Sequence, residues 1–208
     1  RCRIRCAKHW LTLPHPETRI RLFQRPNHTP DVGTTLLQRI GRFSLLLIVS
    51  WCVMTTTHEI GHLLGGFSCG ATLTDFDLAP WRMPYSLHEP DPHPLVTLWM
   101  GPIFGVAAPL FLAMMLQRRW TWFVADFCLL ANGIYLALAW VTGDPFLDTP
   151  RLLQAGSPTV LVFAYCAIAI GFGYIRFRTD AIESLGPQPS RSTKEANVAS
   201  SPQATNTD

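Results

Sequence analysis

Four long apolar runs constrain this chain more than any other feature. They extend from about Phe43 to Gly66, Leu95 to Leu116, Trp120 to Val141 and Pro158 to Ile175. Each is near the ~20 residues that a helix needs to cross the hydrocarbon layer, the last being the shortest. Backbone N–H and C=O groups find no water in lipid, so each run is expected to satisfy them internally, as a helix. Only 15% of the residues are charged, against about 25% in a typical soluble domain, and long uncharged runs account for the shortfall. The expected fold is therefore all-α: a multi-pass integral membrane protein with about four transmembrane helices. Trp120, Trp122, Trp140 and Tyr174 stand near the ends of their runs, where amphipathic rings favour the membrane interface.

The runs divide the chain into a polar, basic arm at 1–42, a membrane-embedded core at 43–178 and a polar tail at 179–208. The arm carries nine Arg or Lys against Glu17 and Asp31, and its prolines argue against a long helix. The tail is rich in Ser, Thr, Pro, Asn and Gln and is expected to be disordered. A net charge of +3, with no phosphate loop, basic–aromatic strip or finger spacing, excludes a nucleic-acid partner. Cys2, Cys6 and His9 lack a fourth ligand at any common zinc spacing, so they do not read as a metal clip. With four spans, the arm, the Arg118–Arg119 turn and the Arg176/Arg178 flank share one side, cytoplasmic by the positive-inside rule.

Chemistry concentrates late in the first run, at Thr57-His58-Glu59-Ile60-Gly61-His62. Residues i and i+4 share a helix face, so His58 and His62 can offer imidazoles to one ion. Glu59, on the same turn, is placed to take a proton from a water at the open position, the logic of zinc hydrolases with a His-Glu-x-x-His motif. Ionisable side chains within a span are costly and usually functional. The competing reading, a polar helix end before Gly65 and Gly66, leaves three such residues in five unexplained. A third protein ligand is needed, and the loop after the third run offers two candidates, Asp144 and Asp148. By spacing alone either can serve, and Asp148-Thr149-Pro150 also reads as a helix start.

At these places the chain resembles the site-2 protease family of intramembrane zinc metalloproteases, over roughly Ser44 to Gln154. His58-Glu59-Ile60-Gly61-His62 looks like that family's first motif. Gly101-Pro102-Ile103-Phe104-Gly105 is similar to its Gly-Pro element, and Asn132 followed by Pro145-Phe146-Leu147-Asp148 is similar to the stretch supplying its third ligand. The resemblance implies Zn2+ held by His58, His62 and Asp148, with Asp144 as the alternative, Glu59 as general base, and Asn132 holding the substrate backbone. Thr149-Pro150 stands where the family usually has Gly-Gly, and no peptide-binding domain is inserted between the second and third runs. The family generally faces its zinc towards the cytoplasm, whereas the loop charges put the His58 end on the other side.

Between the first two runs, Leu73 to Leu78 alternates apolar and polar, as in a short strand or hairpin. The resemblance implies that such an edge clamps an extended substrate by strand addition, the alternative being a plain surface loop. The proline-stiffened stretch from His88 to His93 is expected to be a solvated loop rather than a second metal cluster. Gly101 and Gly105 suggest close helix packing, and Asp126 is expected to snorkel to the interface. These observations predict a zinc endopeptidase cleaving transmembrane protein substrates in the lipid bilayer. The alternatives are an inactive zinc-binding or scaffolding protein of the same fold and a metal-dependent membrane oxygenase, for which the chain offers few histidines.

Overall fold

The computed structural model describes residues 35–185; the arm before them, with the Cys2, Cys6 and His9 group, and the tail after them lie outside the described residues. The elements run α1 (Leu36–Ser68), β1 (Leu73–Asp77), β2 (Tyr85–His88), α2 (Pro94–Leu116), α3 (Arg119–Thr142), α4 (Asp148–Gln154) and α5 (Thr159–Leu185). Four of the helices, α1, α2, α3 and α5, are long and apolar enough to cross a membrane. The polytopic all-α architecture read from the sequence is thus the observed one, including a hairpin between the first two spans.

Two helices overrun the apolar runs. α1 begins at Leu36 because Thr35 and Gln38 form a capping box, each side chain bonded to the other's backbone N–H (3.3 and 2.9 Å). α5 continues past Ile175 through Arg176, Arg178, Asp180 and Glu183. Arg176 and Glu183 have partners on α3. Arg176 Nε donates to Asp126 Oδ1 at 2.6 Å, and Arg119 pairs with Glu183 at 2.6 Å. Asp126 does not snorkel as expected. It is almost fully buried, and an arginine from the neighbouring helix reaches it instead. Trp122, in the first turn of α3, is buried with Ala113 and Ala125 beneath the Arg176 guanidinium, 5.2 Å from its ring centroid.

The burial pattern differs from that of a water-soluble bundle, with polar residues buried beside apolar ones and large apolar residues outside. Ser50, Thr55, His58, Glu59, His62, Thr97, Asp126 and Asn132 are buried, while Leu45, Ile48, Phe111, Phe163 and Phe172 face outward. With lipid outside, apolar side chains gain nothing by turning inward, so the helices associate through small residues and polar contacts. α1 packs chiefly on α2, and α3 on α5. A Cβ at Gly61 would run into the Met100 carbonyl, and one at Gly133 would lie 2.8 Å from Ala169 Cβ.

β1 and β2 pair antiparallel, Phe76 opposite Ser86 and Asp77 opposite Tyr85, with an irregularity between Leu73 and Asp75. The turn joining them is fastened to the middle of α1, where Trp51 Nε1–H donates to the Pro80 carbonyl at 2.9 Å. At the other end of the site, Gly143 closes α3 in the left-handed conformation (φ 66°), which favours glycine. The chain then reverses into α4, whose Leu152 is buried against Leu98 and Leu136. That anchorage delivers Asp148, the first residue of α4, back to α1.

Candidate metal centre

His58, Glu59 and His62 are all buried on α1, and their ligand atoms lie within 4.8 Å of one another, a group that could hold a metal ion. The helical repeat puts the two histidines on one face as expected. What the sequence does not contain is how each ring is held. His58 Nδ1 lies 2.7 Å from Asn132 Oδ1. The Asn132 amide nitrogen donates to the Cys128 carbonyl at 2.9 Å, so the oxygen must be what faces His58, and His58 Nδ1–H is the donor. His62 Nδ1 lies 2.9 Å from the Thr97 carbonyl, which can only accept. Both rings therefore spend their Nδ1 proton on a fixed acceptor, and in the neutral state both Nε2 atoms carry lone pairs.

Those lone pairs converge. The two Nε2 atoms stand 3.1 Å apart, and Asp148 Oδ2 lies 2.8 Å from His58 Nε2 and 3.3 Å from His62 Nε2. Three acceptors cannot be buried face to face without a cation among them, a proton or a metal. Four-coordinate zinc, with bonds of about 2.0–2.2 Å, keeps its ligands roughly 3.3 Å apart. The donor set and the triangle both fit such an ion. Burial opposes ionisation of Asp148, but the facing imidazoles outweigh it and hold its carboxyl well below the usual carboxylate range.

Of the two aspartates left open by spacing, Asp148 is the one beside the histidine pair. Asp144 is exposed and caps its own turn, accepting from Phe146 N–H at 3.0 Å. The Thr149-Pro150 sequence forms the first turn of α4, and Thr149 Oγ1 donates to the Leu136 carbonyl at 2.7 Å, lashing this turn to α3. Asn132, expected by resemblance to hold the substrate backbone, lies against His58. It is fully buried behind His58 with both polar ends occupied. Gly101 and Gly105 do mark close packing, and they do so over the site: a Cβ at Gly101 would strike the His62 ring, and one at Gly105 would crowd Asn132 at 3.0 Å. His88 packs on Gly66, where burial lowers its pKa, and His93 precedes α2, so no second metal group forms there among the described residues.

Glu59 is the remaining member. Its Oε2 accepts from Ser86 Oγ on β2 at 3.1 Å, a contact no sequence pattern announced. Two clefts meet at this carboxylate. One of about 360 Å3 reaches His62, Asp148 and Tyr85. The other, of about 260 Å3, reaches His58, Trp51 and Arg82. Both are lined by Glu59, Met83, Pro84 and Tyr135, so the two adjoin at this carboxylate, and the pair of clefts is referred to as the groove. Such a site can bind a cation and present a carboxylate beside it, next to open clefts. Compared with family models, curated proteins and solved structures, the chain gives no match.

Proposed function

We propose that this chain is an intramembrane zinc metalloprotease that hydrolyses peptide bonds in or near transmembrane segments of other membrane proteins. The observation that carries this reading is the convergence of His58 Nε2, His62 Nε2 and Asp148 Oδ2 within 3.3 Å, beside Glu59 and open to a groove. The resemblance to the site-2 protease family supports the reaction class.

In this mechanism His58, His62 and Asp148 hold Zn2+. When bound, zinc supplies a Lewis acid and lowers the pKa of a water at that point. Glu59 takes the proton of the attacking water and passes it to the leaving amine nitrogen as the C–N bond breaks. The Ser86 hydroxyl holds the Glu59 carboxylate in place. The groove receives the substrate extended, because helical peptide bonds are shielded by their own hydrogen bonds.

The test is metal content and cleavage of a transmembrane reporter by the purified chain. Glu59→Gln is expected to retain zinc and lose about 10²–10⁴-fold in kcat. Asp148→Ala is expected to lose zinc, and Asp144→Ala to keep it. A chain that binds zinc and cleaves no reporter under any condition is instead an inactive member of the same fold, and iron in place of zinc points to an oxygenase.

A further inference from the structure

Hydrolysis of an amide needs a second electrophile. When water oxygen bonds to the carbonyl carbon, the C=O electron pair moves onto the carbonyl oxygen, and a hydrogen-bond donor aimed there is worth about 10²–10³ in kcat. By resemblance Asn132 is the residue to address the substrate, yet both its polar ends are occupied behind His58. Side-chain donors that line the groove are candidates for this role.

Most of them are committed. Trp51 Nε1 donates to Pro80, and Thr55 Oγ1 donates to the Trp51 and Cys52 carbonyls of its own helix. Tyr85 donates to Asp75 and Ser86 to Glu59. Arg82 turns out to solvent beside Asp77, with 71% of its side chain exposed. Among the described residues this leaves Arg151 and Tyr135, whose hydroxyl is engaged not outside the site but with Asp148, a member of the converging group. Arg151 lies one turn beyond Asp148 and lines only the larger cleft, whereas Tyr135 lines both, on either side of Glu59. The Tyr135 ring stands edge-on to His58, centroids 5.3 Å apart at 87°, and its hydroxyl interacts with Asp148. It is therefore held against two of the three groups whose lone pairs converge.

We infer that Tyr135 is a catalytic residue of this site, its phenol O–H donating a hydrogen bond to the substrate carbonyl oxygen as that oxygen takes up negative charge. The inference rests on the protease reading above. Tyr135 sits one helical turn after Asn132. The same face of α3 thus orients a histidine with one residue and addresses the substrate with the next.

Tyr135→Phe removes only the hydroxyl and keeps the ring on His58. In the full chain reconstituted in lipid, we expect unchanged zinc content, an unchanged KM for a transmembrane reporter, a kcat about 10²–10³-fold lower, and comparably weaker binding of a phosphinic peptide that mimics the tetrahedral species. Binding of uncleaved reporter to Glu59→Gln and to Glu59→Gln/Tyr135→Phe should be equal. An active wild type with an equally active Tyr135→Phe, or a Tyr135→Phe that loses zinc, overturns the role of Tyr135 alone. A wild type that retains zinc and cleaves nothing overturns the protease reading, and this role with it.

Discussion

His58 Nδ1 and Asn132 Oδ1, 74 residues apart in the chain, meet at 2.7 Å inside the bundle. The contact fixes both which tautomer His58 adopts and where its Nε2 points. Partners of this kind are typically worth 10–100-fold in metal affinity. Asn132→Ala should therefore weaken zinc binding by about that factor while leaving helix content intact, read by competition with a chelator of known affinity. An unchanged affinity would mean that packing against Tyr135 alone orients the ring.

Gly101 makes the corresponding prediction for His62. A Cβ at this position would occupy the space of the His62 imidazole, and backing α2 away would open the close contact of Gly61 with the Met100 backbone. Gly101→Ala should displace the ring from the Thr97 carbonyl, abolish stoichiometric zinc and cost about 1–3 kcal/mol in stability. Gly41→Ala is the control: it lies on α1 with nothing within 4 Å of its added Cβ, and should bind zinc as the wild type does.

These two residues show where sequence reasoning reached and where it stopped. His58, Glu59 and His62 are legible because their relation is local, four residues on one helix. The spans and the hairpin are legible because hydropathy and alternation are local too. Spacing left Asp144 and Asp148 equivalent, since what separates them is the docking of α4 through Leu152 and Thr149. The partners of Asn132, Ser86 and Tyr135 arise only when α1, α3 and β2 come together, and no spacing within one element encodes them. The burial of Asp126 is not legible in the sequence for the same reason, because its partner Arg176 lies on another helix, beyond the apolar run that marks the last span.

Thr149 carries a prediction of its own. Its hydroxyl, fully buried, donates to the Leu136 carbonyl at 2.7 Å one residue after Asp148. Thr149→Val keeps the shape and removes the bond, so stability should fall by about 1 kcal/mol. Zinc affinity should fall with it, because the first turn of α4 is no longer tied to α3. Thr149→Ser should restore both. Thermal unfolding in detergent with and without added zinc separates the two effects: loss of the bond alone lowers both midpoints, and loosening of Asp148 also shrinks the shift that zinc produces.

The Asp126–Arg176 pair tests the scaffold apart from the site. It joins α3 to α5 at 2.6 Å with both side chains largely buried, and the guanidinium also lies over Trp122 and Phe172. Taking away one member of such a pair weakens the compensation of the other's buried charge, at a cost of up to about 3–5 kcal/mol, whereas replacing both with apolar residues of similar size is often neutral. Arg176→Met should therefore lower the yield and unfolding midpoint sharply, and Asp126→Leu/Arg176→Met should recover most of the loss. Asp126 precedes Asn132 by about 9 Å of helix, so the folded fraction of each variant should bind zinc with wild-type stoichiometry. If the double variant is no better than the single one, the pair contributes through contacts other than its charge. If either folded variant loses zinc, the ion pair and the metal centre are coupled through α3.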